Sequence, residues 1–272
     1  MQRNIVKSGL GRKVIIESFK SYSEMIETND SRTSNFGYDR RVEGRKDFDF
    51  NSYDQALSWL YNYDKHIQLF KTNLKDVDTN KTIEYKKTKN VIGVAGFQPV
   101  IPNALMGLPN SMISTQVVSK KSKVLNVLVD STYAYSTTSR EVAEKFSQIL
   151  AHLTGLEKQG FRVRISLMYL FGKSGNNNKV HVCKILLKSE NQPIDLKRMM
   201  FPLTNLGAFR LFGWDWYERL PEGEQISGYG QAIYHWNQKW RDDINTVLGE
   251  PNSKAYVLHI HSDPKVVFKD VK

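Results

Sequence analysis

Residues 123–141, KVLNVLVDSTYAYSTTSRE, constrain the fold more than any other stretch. The run from Val124 to Val129 is apolar and rich in β-branched residues, interrupted only by Asn126, and it stops at Asp130. A strand reads this way when neither face meets water, which happens mainly in parallel sheets covered by helices on both sides. A small polar loop follows. Thr138 and Glu141 then have the spacing of a capping box, and Val142, Phe146, Ile149, Leu150, Leu153 and Leu156 form one apolar helical stripe that ends at Gly160. A strand feeding a helix needs a crossover connection, so the strand's partner is expected to be parallel. In open sheets of this type ligands gather beyond the carboxyl ends of the strands, which makes Asp130 a candidate site residue.

The flanking patterns extend this core. Residues 161–167 alternate strictly, with Arg162 and Arg164 on the polar side, and turn-rich residues 172–178 lead into a second apolar run at 179–188. This predicts an antiparallel hairpin at a sheet edge. Short helices are expected over 193–200 and 205–219. A longer one is expected over 229–248, with Ile233, Trp236, Trp240, Ile244, Val247 and Leu248 on one side, and a last strand over 255–260. The predicted class is α/β: a Rossmann-like, mostly parallel sheet with an antiparallel edge hairpin, occupying residues 119–272.

Residues 1–118 are expected to form a helical and irregular extension. Its parts are a short strand and helix over 14–28, a polar mobile loop over 28–49, a helix near 52–75, and a polar linker over 71–89. Ser52 caps that helix, and Ala56, Leu57, Leu60, Tyr63, Ile67 and Phe70 form its stripe. Residues 91–112 are apolar but broken by Gly93, Gly96, Pro99, Pro102, Gly107 and Pro109. They cannot form one long element and are expected to pack along the main domain.

Composition limits the function classes. Hydrophobic residues make up 40% of the 272 and charged residues 25%, enough apolar mass for a core. A single cysteine, Cys183, excludes an intramolecular disulfide and a cysteine-built zinc cage, and its strand-like setting predicts a buried thiol. No apolar run reaches the roughly 20 residues of a membrane helix, and the basic N-terminus lacks the apolar centre of a signal peptide. The expectation is a protein of a reducing cytoplasm with no membrane partner. The net charge of +11 admits nucleic acid through the basic surface, although the cations are scattered, as at Lys120, Lys121 and Lys123.

Three segments carry a resemblance: VLVDSTYA at 127–134, FPLTNLGAF at 201–209 and YVLHIHSD at 256–263. In this order they are similar to the metal-site strand, the Thr-bearing loop and the later Asp-ending strand of the von Willebrand factor A-like domain, over residues 123–263. The resemblance implies a binding crevice of Asp130, Thr132, Thr204, Asn205 and Asp263. It also implies Mg²⁺ on Asp130, Thr132, Thr204 and Asp263, and a protein partner. The sequence departs from the pattern: Ala134 replaces a serine, Phe201 and Pro202 stand where glycines are usual, and Pro264 replaces a glycine. The metal site is therefore degenerate. Residues 50–60 and 96–112 look like segments of uncharacterised bacteriophage-borne proteins, which implies a bacterial host cytoplasm as the setting.

Three functions follow. The first is a non-enzymatic protein-binding or assembly module using the Asp and hydroxyl crevice, with no catalytic residue. The second is a PIN-like nuclease in which Asp130, Glu141 and Asp263 hold the divalent metal that activates water. The third is unspecific nucleic-acid binding. Plainer roles stand beside these: Asp130 and Asn205 as helix caps, Glu141 as the capping-box acid, and His259 and His261 as structural imidazoles. No Gly-x-Ser-x-Gly elbow is present, and GKSG at 172–175 lacks the frame of a phosphate loop.

Overall fold

A computed structural model describes residues 1–33, 42, 48–77, 86–119, 123–172, 179–221, 232–249 and 255–271. The fold is α/β and Rossmann-like. Its main sheet has six strands: β1 (Gln2–Lys7), β2 (Lys13–Phe19), β6 (Val124–Asp130), β7 (Arg162–Gly172), β8 (Lys179–Lys188) and β9 (Ala255–Leu258), in the order β1-β2-β8-β7-β6-β9. β6 pairs in parallel with β7 on one side and β9 on the other, as its apolar run predicts. β7 and β8 form the antiparallel hairpin.

The hairpin is not the last feature on its side of the sheet. β2 pairs in parallel with β8, and β1 returns antiparallel on β2 as the outermost strand. Residues assigned to an extension thus complete the main sheet. The core runs across the expected boundary near Ser119 as well, because Phe19, Met25, Phe50, Tyr63 and Phe70 share one cluster with Val127, Phe146 and Phe201.

Alternation along the strands sorts side chains onto two covered faces. On one, Leu125, Val127, Val129, Val163, Ile165, Leu167, Tyr169 and Phe171 pack under α5 (Ser139–Lys158) and its neighbours. Thr138 and Glu141 close the expected capping box, with the Glu141 N–H donating to the Thr138 hydroxyl at 3.2 Å. On the other face, Leu128, Met168, Leu170, Val180 and Val182 meet Ile233, Trp236, Ile244 and Leu248. A buried carboxylate ties the N-terminal strands to the body. Glu17 of β2 takes both Arg32 guanidinium nitrogens, at 2.9 and 3.0 Å, and the Trp216 indole N–H at 2.8 Å.

Two expected helices are shorter than their apolar periodicity. The stripe near 52–75 splits into α2 (Tyr53–Trp59) and α3 (Ile67–Lys75), with Ser52 as the expected cap. Between them the Tyr63 N–H donates to the Lys197 carbonyl at 3.1 Å, so a tertiary bond replaces helix continuation. α9 spans Gln238–Leu248, because the Asn237 side chain caps it through the Trp240 N–H. Ile233 and Trp236 still pack on the sheet, from a 3₁₀ turn and an extended residue that precede α9. The segment over 193–219 forms α6 (Leu196–Thr204), α7 (Leu206–Ala208), a π-helical turn (Phe209–Gly213) and α8 (Trp214–Glu218). The expected turn at 173–178 and most of the loop over 28–49 lie outside the described residues.

Residues 86–119 form a separate three-stranded arm: β3 (Lys86–Gly93), β5 (Met112–Ser119) and the two-residue β4 (Gln98–Pro99), in the order β3-β5-β4. The expectation that this apolar segment packs along the body is corrected here. Val94, Phe97, Ile101, Leu105 and Met106 are all exposed.

Candidate functional site

The chain leaving β6 stays bonded to β7 before it opens into a loop. The Ser131 N–H donates to the Met168 carbonyl at 3.0 Å, and the Leu170 N–H donates to the Thr132 hydroxyl at 2.7 Å. These two bonds hold the chain after β6 against β7, and Asp130 is carried under the surface with 1% of its area exposed. Its Oδ1 accepts the Thr132 N–H at 2.9 Å, while Oδ2 has no hydrogen-bond partner. Burial pushes this carboxyl up to about 7, against the Thr132 N–H and hydroxyl, which favour the charged form. Asp130 as a surface crevice residue is therefore corrected: it is a buried carboxyl at the strand end.

The other expected site residues have separate partners. The Thr204 hydroxyl is buried, donates to the Met200 carbonyl at 2.7 Å and lies 2.9 Å from Nδ1 of His66. Asn205 caps α7 through the Gly207 N–H at 2.8 Å, and its amide nitrogen lies 3.3 Å from both Asp49 Oδ2 and the Tyr63 hydroxyl. Asp263 is exposed and caps α10 (Pro264–Val267) through the Lys265 N–H at 2.9 Å. Glu141 belongs to the capping box. Among the described residues no group of three or more His, Cys, Asp or Glu side chains is placed to hold a metal ion. A hard cation needs several convergent oxygens. Asp130 offers one uncommitted carboxylate oxygen, Ala134 offers no side-chain oxygen, and Thr132 already binds the β7 backbone. This donor set does not fit Mg²⁺.

An open cavity of about 330 Å³ does lie where the fold type predicts one, beyond the carboxyl ends of β6 and β9. Ala134, Ser136 and Thr137 of the β6 loop line one wall, and Glu141, Glu144, Lys145 and Gln148 of α5 line another. Tyr234, His235, Ile260 and His261 complete it. Tyr234 organises the mouth: its hydroxyl accepts the Ala134 N–H at 3.0 Å, and its ring stacks on His259 with centroids 5.7 Å apart. The His261 ring meets Tyr234 edge-on at 4.7 Å. The His261 N–H donates to Nδ1 of His259 at 3.2 Å, and burial is the largest cause that lowers the His259 imidazole to about 4. His259 is thus a neutral structural ring, as expected, whereas His261 and His235 face the cavity.

Sequence reasoning had Asp130 and missed Tyr234, His235 and Lys145. The available signal was aromatic: Tyr234 and His235 beside Trp236, and two histidines, His259 and His261, just after β9. Nothing local tells that these segments meet, since Tyr234 and Ala134 are 100 residues apart.

No curated protein matches this chain, and no solved structure does. One family's sequence model matches residues 2–269. The chain belongs to that family, described as Domain of unknown function (DUF7192). The family's span takes in β1 and β2, the arm, and the cavity walls as one unit. No described helix is long and apolar enough to cross a membrane.

Proposed function

We propose that this chain is a non-enzymatic protein-binding module, and that its partner enters the cavity beyond β6 and β9. The observation that carries the reading is the state of the groups lining that cavity. Glu141 closes the helix cap, Glu144 pairs with Arg140 at 2.7 Å, and the Tyr234 hydroxyl holds the Ala134 backbone. These groups build a shaped surface of mixed charge, with Lys145, Gln148, His235 and His261 available to make polar contacts around an apolar floor at Ile260. Such a surface suits a protein partner's side chains better than a water-activating centre, which needs an acid, base or metal set in mutual reach. Beneath it Asp130 acts as a positioning group that fixes the β6 loop, and it makes no contact with the partner.

The test is photo-crosslinking in the cells that make the protein. A photoreactive residue at Gln148 or His261 should give protein adducts of discrete mass. The same residue at Val266, an exposed position on α10, should give none. Absence of adducts at both cavity positions would contradict the reading.

A further inference from the structure

We propose that the arm formed by β3, β4 and β5 is a dimerisation device, in which the free edge of β5 pairs antiparallel with β5 of a second copy. This surface is independent of the cavity. The sequence has no charged residue from Asn90 to Ser119, a stretch that covers β4, β5 and the whole tip. Its large apolar side chains face solvent: Ile92, Val94, Phe97, Ile101, Leu105, Met106 and Leu108 are between 45% and 83% exposed.

The tip is nonetheless a built structure. The Phe97 N–H donates to the Ile113 carbonyl at 2.9 Å, and the Val100 N–H to the Ser111 carbonyl at 2.7 Å. The Asn103 amide donates to the Asn110 carbonyl at 3.0 Å. At Gly96 the chain passes so close to β5 that a Cβ would lie 2.0 Å from the Ile113 carbonyl oxygen. These bonds fix a backbone that holds the apolar side chains outward.

The edges say what covers them. β3 pairs with β5 along the full length from Lys86↔Ser119 to Gly93↔Met112. On its other side β5 meets β4 only at Met112 and Ile113. Among the described residues no strand continues that edge past Ile113. Exposed edges are normally protected by charge, proline or a bulge. β3 carries Lys86, Lys87 and Lys89, whereas β5, MISTQVVS, has no charge and no proline and is rich in β-branched residues.

An unprotected strand paired about a two-fold axis is self-complementary, so a second copy satisfies both edges at once. Antiparallel pairing also lays each tip against the base of the partner's arm. A stable interface needs about 800 Å² per partner, to which the strand pair and the exposed apolar side chains of the tip both contribute.

The experiment is sedimentation velocity of the full chain over a wide concentration range, for wild type, Thr115→Pro and the double variant Phe97→Ser with Leu105→Ser. Thr115→Pro removes a donor from the free edge, and the double variant strips the tip while leaving the edge. The wild type should sediment as a dimer that dissociates on dilution. Each variant should raise the dissociation constant at least a hundredfold, and should melt as the wild type does once both are diluted to monomer. A wild type that stays monomeric at the highest concentration would overturn the proposal. So would a dimer retained at wild-type strength in the double variant, or a monomer that instead floats with lipid vesicles.

Discussion

β6 and the arm are both apolar runs in the sequence, yet they meet opposite fates. From Leu125 to Asp130 every residue of β6 is buried, with Val127, Leu128 and Val129 fully enclosed. In the arm, Val94, Phe97 and Leu105 stand in solvent. The difference lies in what arrives from elsewhere in the chain. β6 receives α5 on one face and α9 with residues 233–236 on the other. The arm receives no comparable cover among the described residues. An apolar run therefore records a need for burial, and whether the chain or another molecule meets that need depends on tertiary supply.

The comparison can be sharpened within the body first. Glu17 is fully buried and joins β2 to Arg32 and Trp216. Glu17→Ala leaves the partly buried Arg32 guanidinium and the buried Trp216 N–H without their acceptor, so it should destabilise by about 3 kcal/mol in urea melts. A loss under 1 kcal/mol would mean that β1 and β2 are only loosely joined to the sheet.

Asp130 gives the next effect, and it depends on pH. Burial raises its folded-state pKa to about 7, above its unfolded value. Between the two values the folded state keeps a proton that the unfolded state releases, so stability falls as pH rises through this window. Below the unfolded pKa the group's contribution is fully present, and above about 7 it is lost. Asp130→Asn, which cannot ionise, should thus match wild type near pH 4 and exceed it at pH 8, by at most roughly 4 kcal/mol. A variant less stable than wild type at pH 8 would show that the ionised carboxylate is favoured in place.

The smallest effect belongs to the helix cap. Thr138→Ala removes the hydroxyl that receives the Glu141 N–H, and it should cost about 1 kcal/mol. No loss would mean that water replaces the cap without penalty.

Much of this was legible in the sequence, for identifiable reasons. β6, α5, β7 and β8 follow from local periodicity, and the capping box at Thr138 and Glu141 is a local motif. The split between α2 and α3 was hidden, because Leu60 and Tyr63 keep helical spacing through a break made by Lys197. The parallel pairing of β2 with β8 joins residues more than 160 apart, such as Val14 and Val180, with no local signature. The site was half legible. Strand order locates the cavity beyond β6, but Asp130 sinks below it because the chain stays tied to β7 through the Ser131 N–H and the Thr132 hydroxyl. The rest of the cavity wall comes from residues around 234 and 261, and only the fold brings them to that place.

One paired measurement tests the contrast between body and arm most directly: thermal melting of Val127→Asp beside Val94→Asp. The same charge is introduced into two apolar runs, one enclosed and one 74% exposed. An unpaired charge at Val127 has no water and no partner, so that variant should show no cooperative transition. At a concentration where the wild type is monomeric, Val94→Asp should melt as wild type does, within about 0.5 kcal/mol. A folded Val127→Asp protein, or a Val94→Asp protein destabilised by several kcal/mol, would contradict the account.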